Sequence, residues 1–252
     1  SGLETMGAYS ALLRVVDMCV ERAKETLSIE PMDISGEEYI TKTDNIEISS
    51  IDFAYDKKKI IDNVSLIIPE KTTVAFVGPS GGGKTTLCHL IARFWDVDKG
   101  MISLDEKNVK DYSMDALMQN FSFVFQNVYL FHDTIANNIR FGQPNTPMDD
   151  VIMAAKKACC HDFIMALPDG YNTVIGENGA SLSGGEKQRI SIARAIMKDA
   201  PIIILDEATA NVDPENERDL MEAIQELTKE KTVLMIAHRL KTVRKADQIF
   251  VI

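Results

Sequence analysis

The sequence predicts an α/β fold in which a mostly parallel sheet is covered by crossover helices. Apolar runs rich in β-branched residues, typical of strands covered on both faces, occur at residues 73–77, 202–205 and 232–236. A helical pattern follows the first run and another separates the last two, which is the alternation of one parallel sheet. Residues from about 127 to 199 contain further helical patterns. We therefore expect an inserted helical lobe.

The composition is that of an ordinary folded domain. The chain has 252 residues, of which 45% are hydrophobic and 26% charged, and its formal charge is −11. A chain of this length buries roughly three quarters of its unfolded surface, so it can be stable without disulfides or metals. The negative charge argues against nonspecific nucleic-acid binding, because such binding requires a basic face. Any phosphate binding must therefore be local.

The first helix is predicted over residues 1 to about 28. Apolar residues recur there at three- and four-residue steps, at Leu12, Val16, Cys19, Ala23 and Leu27. Pro31 ends the pattern. One interpretation is a helix packed on its own domain, and the other is the cytosolic end of a membrane helix followed by a polar linker. In the second case, the helix contributes little to the stability of the remaining chain.

A region of short strands is predicted from Asn45 onward. Apolar and polar residues alternate at 46–48, 51–53 and 64–66, as in half-buried strands. A charged turn over residues 56–59 separates the last two. We expect this region to precede the first strand of the parallel sheet.

A glycine-rich loop lies between the first buried strand and the helix that follows it. It reads Gly78-Pro79-Ser80-Gly81-Gly82-Gly83-Lys84-Thr85 and matches the phosphate-binding pattern G-x-x-x-x-G-K-[ST]. Glycines let successive backbone N–H groups surround phosphates, and the helix N-terminus adds about half a positive charge. Lys84 is expected to reach the β- and γ-phosphates, and Thr85 to offer its hydroxyl to Mg²⁺. An acidic chain can therefore bind a polyanion here.

Two carboxylates directly follow the apolar run at 202–205. The carboxyl edge of a parallel sheet is where the ligand crevice lies, so Asp206 and Glu207 are predicted to face it. We expect Asp206 to hold Mg²⁺, through water, and Glu207 to orient and deprotonate the attacking water. A lone acidic pair is usually only a polar strand end. The phosphate loop in the same chain favours the catalytic interpretation.

The last helix of the inserted lobe is predicted to begin within the run Leu182-Ser183-Gly184-Gly185-Glu186. Ser183 and Glu186 have the spacing of a capping box, which is a purely structural interpretation. Two adjacent glycines beyond the cap leave backbone N–H groups open to an anion, which ordinary capping does not need. We therefore expect a second anion-binding segment here.

These motifs together resemble the nucleotide-binding domain of an ATP-binding cassette (ABC) transporter of the exporter-type half-transporter class. The resemblance covers about residues 45–252 and implies a P-loop NTPase core, RecA-like, with an antiparallel β subdomain and a helical subdomain at about 127–199. Residues 1–30 would be the cytosolic end of a membrane-domain helix and 31–44 a linker. The family continues past Ile252, so the resemblance implies a C-terminally incomplete cassette.

Further residues match the motifs of this family one by one. Tyr55 resembles the aromatic residue that stacks on adenine, and Gln126 the glutamine that joins Mg²⁺ and the attacking water. His238 is similar to the switch histidine that bonds the γ-phosphate. Asp213 resembles the aspartate of the loop that communicates between the two sites of a dimer. Glu177 matches the exporter-type loop just before the family's signature segment, which begins here at Leu182.

The resemblance implies that the cofactors are ATP and Mg²⁺. The implied catalytic residues are Glu207, His238, Lys84 and Gln126. The implied Mg²⁺ ligands are Thr85, Gln126 and Asp206. The implied nucleotide contacts are Tyr55, the phosphate loop with Lys84, Thr85 and Thr86, the signature residues Ser183, Gly184, Gly185 and Glu186, and Asp213.

The implied partners are a second cassette and a transmembrane domain, with no role for nucleic acid. In this family two cassettes, identical or different, close head to tail around ATP. Ser183 and Gly185 of one chain would touch the γ-phosphate held by Lys84 of the other. The transmembrane domain of the same chain would be contacted near residues 126–138 and near Glu177. The implied location is the cell membrane, with the cassette on its cytoplasmic side.

The implied function is ATP hydrolysis that powers transport across a membrane, in the direction of export. An exporter-shaped importer of siderophores or metallophores is an alternative, and so is a soluble cassette ATPase of translation or DNA repair. Those soluble classes carry two cassettes or a long coiled-coil insertion, and this sequence has neither. A non-hydrolysing ATP clamp would lack Glu207 or His238, and both are present.

Overall fold

The computed structural model describes residues 2–28, 31–56, 58–176, 182–207, 214–237, 243–244 and 246–252. The chain divides into two compact units, Ser1–Ile34 and Ser35–Ile252. Three residues with predicted roles, Glu177, Asp213 and His238, lie outside the described residues.

The first unit contains the helix α1, Gly2–Leu27. The apolar residues described along it are exposed: Leu12, Leu13, Val15, Val16, Met18, Val20 and Leu27. The helix predicted over residues 1 to about 28 is thus present. Within the described parts of the chain, no helix has the length and apolarity needed to cross a membrane. The interpretation of α1 as the end of a membrane helix stays a prediction.

The second unit begins with strands and continues into alternating helices and strands. Up to residue 124 its elements are β1 (Ile46–Tyr55), β2 (Lys58–Ile68), β3 (Thr73–Val77), α2 (Lys84–Ile91), β4 (Lys99–Leu104), β5 (Lys107–Asn108), α3 (Met114–Gln119) and β6 (Phe121–Val124). They are followed by α4 (Ile135–Ile139), α5 (Met148–Lys157), α6 (His161–Met165), α7 (Gly184–Lys198), β7 (Ile202–Asp206), α8 (Pro214–Leu227), β8 (Thr232–Ile236) and β9 (Gln248–Val251).

A parallel sheet with the strand order β6-β7-β8-β3-β9 forms the centre of this unit. The apolar runs of β7 and β8 are fully buried, as strands covered on both faces require. The predicted α/β fold is therefore confirmed. Because all five strands run in one direction, the loop after β3 and the carboxylates after β7 lie at the same edge of the sheet.

An antiparallel sheet with the order β2-β1-β4-β5 lies in the same unit. The prediction of two separate strands at 46–48 and 51–53 was wrong, since β1 runs through both. Its register shifts between Ile48 and Ile51, and Ser50 has a positive φ of 48°. A bulge of this kind interrupts the apolar alternation without ending the strand.

The helical lobe predicted at about 127–199 contains α4 to α7. Helix α7 packs against α4, α5, α8 and β6, so it belongs to the lobe and to the sheet at once. Its buried residues include Ile190, Ile192 and Ala193, and they share one hydrophobic core with strands β7 and β8. This helix therefore connects the segment beginning at Ser183 mechanically to the central sheet.

Residues 35–44 fall in the predicted linker, yet their contacts lie within the second unit. Asp105 accepts hydrogen bonds from the Tyr39 hydroxyl at 2.8 Å, the Lys42 N–H at 2.8 Å and the Thr43 hydroxyl at 2.7 Å. The Thr41 hydroxyl donates to Asn120 at 2.7 Å. A polar segment is ordered here because its polar groups find partners on the folded domain.

Candidate functional site

The phosphate loop has a backbone that only glycine adopts without strain at several positions. Gly78, Gly81 and Gly83 have φ values of 141°, 80° and 101°. A Cβ atom on Gly78 would lie 2.0 Å from the carbonyl oxygen of Ile252. A Cβ atom on Gly83 would lie 3.0 Å from Cδ1 of Ile61 in β2. Curvature thus requires glycine at all three positions, and close packing requires it in addition at Gly78 and Gly83.

Lys84 is the first residue of α2 and is 5% exposed. Its Nζ atom donates to the carbonyl oxygens of Gly78 at 3.1 Å and Pro79 at 2.8 Å, so the ammonium lies inside the curve of the loop. The first turn of α2 contains no acidic residue. The positive end of the helix dipole and the lysine therefore act together, and an anion is the group that they both attract.

Thr85 and Asp206 come together at the carboxyl edge of the sheet. The Thr85 hydroxyl lies 3.5 Å and 3.4 Å from the two carboxylate oxygens of Asp206. A hydroxyl beside a carboxylate is the hard oxygen donor set that Mg²⁺ prefers, so these residues fit the predicted ion. Thr86 follows in α2 and is partly buried.

Gln126 and Glu207 form a second pair beside the first. The Gln126 Nε2 atom donates to Glu207 Oε2 at 2.7 Å. Glu207 has a φ of 46°, which is uncommon for a residue other than glycine and typical of functional sites. Its backbone N–H donates to Ile236 at the end of β8, at 3.4 Å. The glutamate is therefore held by contacts from two neighbouring strand ends.

Tyr55 lies at the tip of the β1–β2 hairpin, where it pairs with Lys58. Its ring contacts those of Phe53 and Trp95 edge to face, at centroid distances of 4.9 Å and 5.3 Å. Ile61 of the same hairpin lies beside Gly83, so the hairpin packs on the phosphate loop. Tyr55 is 37% exposed.

The signature segment has the predicted capping box at the start of α7. The Glu186 N–H donates to the Ser183 hydroxyl at 3.3 Å, and the Ser183 N–H donates to the Glu186 carboxylate at 2.7 Å. Ser183 and Gly184 are exposed, whereas Gly185 is buried. Among the described residues, no hydrogen bond joins this segment to the phosphate loop of the same chain. The structure does not bring these two motifs together within one chain.

A cleft of about 710 Å³ opens between the helical lobe and β6, and Phe125 in its lining directly precedes Gln126. Its aromatic lining includes Phe125, Tyr129, Phe131 and Phe141, and each of these residues is exposed by a third or more. The rings of Phe131 and Phe141 stack at 4.6 Å. Exposed aromatic surface of this kind marks an interaction site. We call it the aromatic cleft.

Arg194 of α7 holds the wall of the aromatic cleft in place. Its guanidinium lies over the rings of Phe131 and Phe141, and its Nε atom donates to the Asn138 carbonyl at 2.9 Å. Burial lowers the pKa of Arg194 to about 10. Gln188 of the same helix donates to the Phe125 carbonyl at 3.2 Å. The signature helix thus touches both the cleft and the residue preceding Gln126.

Sequence reasoning missed several of these residues. None of the sequence motifs described above contains Trp95, Gln188 or Arg194, although Trp95 is the only tryptophan of the chain. Gln188 and Arg194 both lie on the helix that begins just after Ser183, and this membership is the one signal that could have suggested a role for them. Their contacts depend on how α7 packs, and sequence spacing does not contain that information.

Comparison with known proteins gives consistent results. A family model described as ABC transporter matches residues 61–210. The chain is 51% identical over 210 residues to an ATP-dependent lipid A-core flippase of Syntrophus aciditrophicus (strain SB), covering 83% of this chain and 35% of that protein. It is 46% identical over 250 residues to the protein of the same name from Vibrio vulnificus (strain YJ016), covering 98% of this chain and 41% of that protein.

A similar solved structure is that of a bacterial Atm1-family ABC exporter with ATP bound. The TM-score is 0.84 at 35% identity, and the match covers 94% of this chain and 42% of the exporter chain. This chain therefore spans less than half the length of the relatives that it matches.

Proposed function

Because this chain belongs to the ABC transporter family, we propose that it binds ATP with Mg²⁺ and hydrolyses the ATP to power transport through a membrane domain. The observation that supports this most strongly is the position of two pairs, Thr85 with Asp206 and Gln126 with Glu207, at the sheet edge that carries the phosphate loop. One pair suits Mg²⁺ and the other suits a general base.

The phosphate loop is proposed to bind the triphosphate. Its backbone N–H groups and the start of α2 attract the phosphate oxygens, and the Lys84 ammonium exchanges its carbonyl partners for them. Tyr55 is proposed to stack on the adenine, since its ring is accessible at the hairpin tip. Together the phosphate loop and Tyr55 orient the γ-phosphate towards Glu207.

Glu207 is proposed to accept a proton from the attacking water. The water oxygen forms a bond to the γ-phosphorus while the bond from that phosphorus to the ADP oxygen breaks, and the proton moves to the carboxylate. The hydrogen bond from Gln126 fixes the orientation of that carboxylate. Mg²⁺, held by Thr85 and Asp206 and by the phosphates, would supply positive charge for the leaving group. His238 is a further proposed catalytic residue.

A second cassette is the proposed partner of the signature segment. Ser183 and Gly185 are proposed to bind the γ-phosphate of an ATP held by another chain. The exposed position of Ser183 and Gly184 at the start of α7 supports this, because an anion could approach the helix end from outside. Asp213 is proposed to contact the partner in the same dimer.

The aromatic cleft is proposed to receive a segment of the membrane domain on the cytoplasmic side of the membrane. Phe125 in its lining directly precedes Gln126, and Gln126 donates to Glu207, so a segment bound in the cleft would lie one residue away from the proposed catalytic pair. Export is the proposed direction, because the relatives include a flippase and an exporter.

Phosphate release by the purified chain tests the proposal. With Mg²⁺ and ATP the rate should rise more than linearly with protein concentration, because each site borrows Ser183 from another chain. Chelation of Mg²⁺ should abolish the activity, and restored Mg²⁺ should recover it. A rate strictly proportional to concentration across a wide dilution series would contradict the shared site.

A further inference from the structure

We propose that Trp95 is a positioning residue for Tyr55, which it holds at the angle that stacks on the adenine. This inference rests on the proposed function, and it names a residue that belongs to none of the sequence motifs. It concerns affinity for the base and leaves the chemistry at the γ-phosphate to other residues.

Tyr55 has aromatic neighbours on two sides. The planes of Phe53 and Trp95 both lie at 86° to the Tyr55 ring, at centroid distances of 4.9 Å and 5.3 Å. Phe53 is buried and lies two residues before Tyr55 on the same strand. Trp95 approaches from a different segment of the chain. With both contacts present, the Tyr55 side chain has one preferred orientation at an otherwise exposed hairpin tip.

Two sets of contacts hold the segment that contains Trp95. The guanidinium of Arg93 pairs with Asp96 at 3.0 Å, so this ion pair spans Trp95 in the sequence, and Arg93 is 3% exposed. After Trp95, Asp98 accepts from the Ala54 N–H at 2.9 Å and donates its own N–H to the Asp52 carbonyl at 2.9 Å. These last bonds tie the segment after Trp95 directly to the strand that carries Tyr55.

The exposure of Trp95 distinguishes positioning from ordinary core packing. Trp95 is 42% exposed, although burying a large side chain contributes about 1.5 kcal/mol or more to the free energy of folding. A residue needed only for the core would lie deeper. Its described ring contacts are with Tyr55 and with His89 of α2, at 5.3 Å and 5.8 Å. Trp95 thus stands between the base-stacking tyrosine and the helix of the phosphate loop.

The test compares ATP with inorganic tripolyphosphate, each with Mg²⁺, because only ATP presents a base to Tyr55. Trp95→Ala should raise the Kd and the KM for ATP by about 2- to 5-fold, from the weakest edge-to-face aromatic pair up to the whole stacking contribution of Tyr55. Tripolyphosphate affinity and kcat should not change. Trp95→Phe should retain most of the ATP affinity. Ile67→Ala, an exposed apolar position on β2, is the matched control and should change neither affinity.

A double-mutant cycle shows whether Trp95 acts through Tyr55. In a Tyr55→Ala background, Trp95→Ala should cause no further loss of ATP affinity. Additive losses, or equal losses for ATP and tripolyphosphate, would overturn the inference. If the unmodified chain binds no ATP, the proposed function fails. If Tyr55→Ala weakens ATP binding while Trp95→Ala does not, only the inference about Trp95 fails.

Fluorescence gives a readout that needs no substitution at Trp95. It is the only tryptophan, so with excitation at the red edge of its absorption band, where tyrosine barely absorbs, the emission of the unmodified chain reports on this indole. ATP should change the emission, and tripolyphosphate should not. Tyr55→Ala should remove most of the change that ATP causes. Equal responses to the two ligands would contradict the proposal.

Discussion

The two ends of the candidate nucleotide site are built in different ways. The phosphate end consists of consecutive residues, 78–85, whose backbone makes the proposed binding surface and whose lysine is buried. The base end consists of side chains from two distant segments, Tyr55 with Phe53 and Trp95, and the two outer rings are exposed by a third or more.

This difference predicts how strongly substitutions at each end affect the protein. A site built from backbone and a buried charge tolerates few substitutions, because they alter φ angles or leave polar groups unpaired. A site made of partly exposed rings loses only the contact that is removed. We therefore expect graded effects, which are large at the γ-phosphate and small at the adenine.

The largest effect is expected at the catalytic pair. Glu207→Gln should lower kcat by about 10²- to 10⁴-fold, since an amide cannot take up the proton of the water. ATP binding should persist, because the amide oxygen can still accept the bond from Gln126. Single-turnover phosphate release and equilibrium binding measure the two quantities. Full activity of this variant would assign the base to another residue, with His238 as the next candidate.

Removing the buried charge of the phosphate loop should have the next largest effect. Lys84→Ala should weaken the binding of ATP and of tripolyphosphate alike, by about 10- to 150-fold, the range for hydrogen bonds to a charged group. Calorimetry with both ligands checks this. A loss confined to ATP would mean that the phosphate end also recognises the base, and the contrast between the two ends would disappear.

Substitutions at two glycines of the loop distinguish the effect of steric crowding from the effect of backbone strain. Gly78→Ala combines a φ of 141° with a contact of 2.0 Å, whereas Gly81→Ala has a φ of 80° and no atom within 4 Å. We expect about 1–3 kcal/mol of destabilisation from strain at either position, and more at Gly78. Thermal unfolding of both variants measures the difference. Equal melting temperatures would show that the contact with Ile252 is relieved at no cost.

The smallest effect is expected at the base end. Tyr55→Ala should weaken ATP binding by about fivefold, corresponding to about 1 kcal/mol of base stacking, and leave tripolyphosphate binding unchanged. Tyr55→Phe should bind ATP as the unmodified chain does, because the stacking surface is retained. If Tyr55→Ala binds ATP with unaltered affinity, the adenine contacts lie elsewhere.

The strands of the fold were predictable where they are continuous apolar runs covered on both faces. The runs at 73–77, 202–205 and 232–236 became β3, β7 and β8. The sequence did not reveal β4, β6 and β9. Strand β6 has only four residues, and β9 alternates between partly buried and exposed residues at the sheet edge. Short strands depend on their neighbours for stability, so their local pattern is weak.

The sequence by itself determined the phosphate loop and the capping box at Ser183, because each is made of residues close in the chain. Local sterics decide where a φ must be positive, and a serine three residues before a glutamate can close its own hydrogen bonds. The tertiary structure decided the rest. Gln126 meets Glu207 across 81 residues, and Trp95 meets Tyr55 between two segments, because sheet register and packing bring them together. Such contacts arise from the whole fold, and no local pattern encodes them.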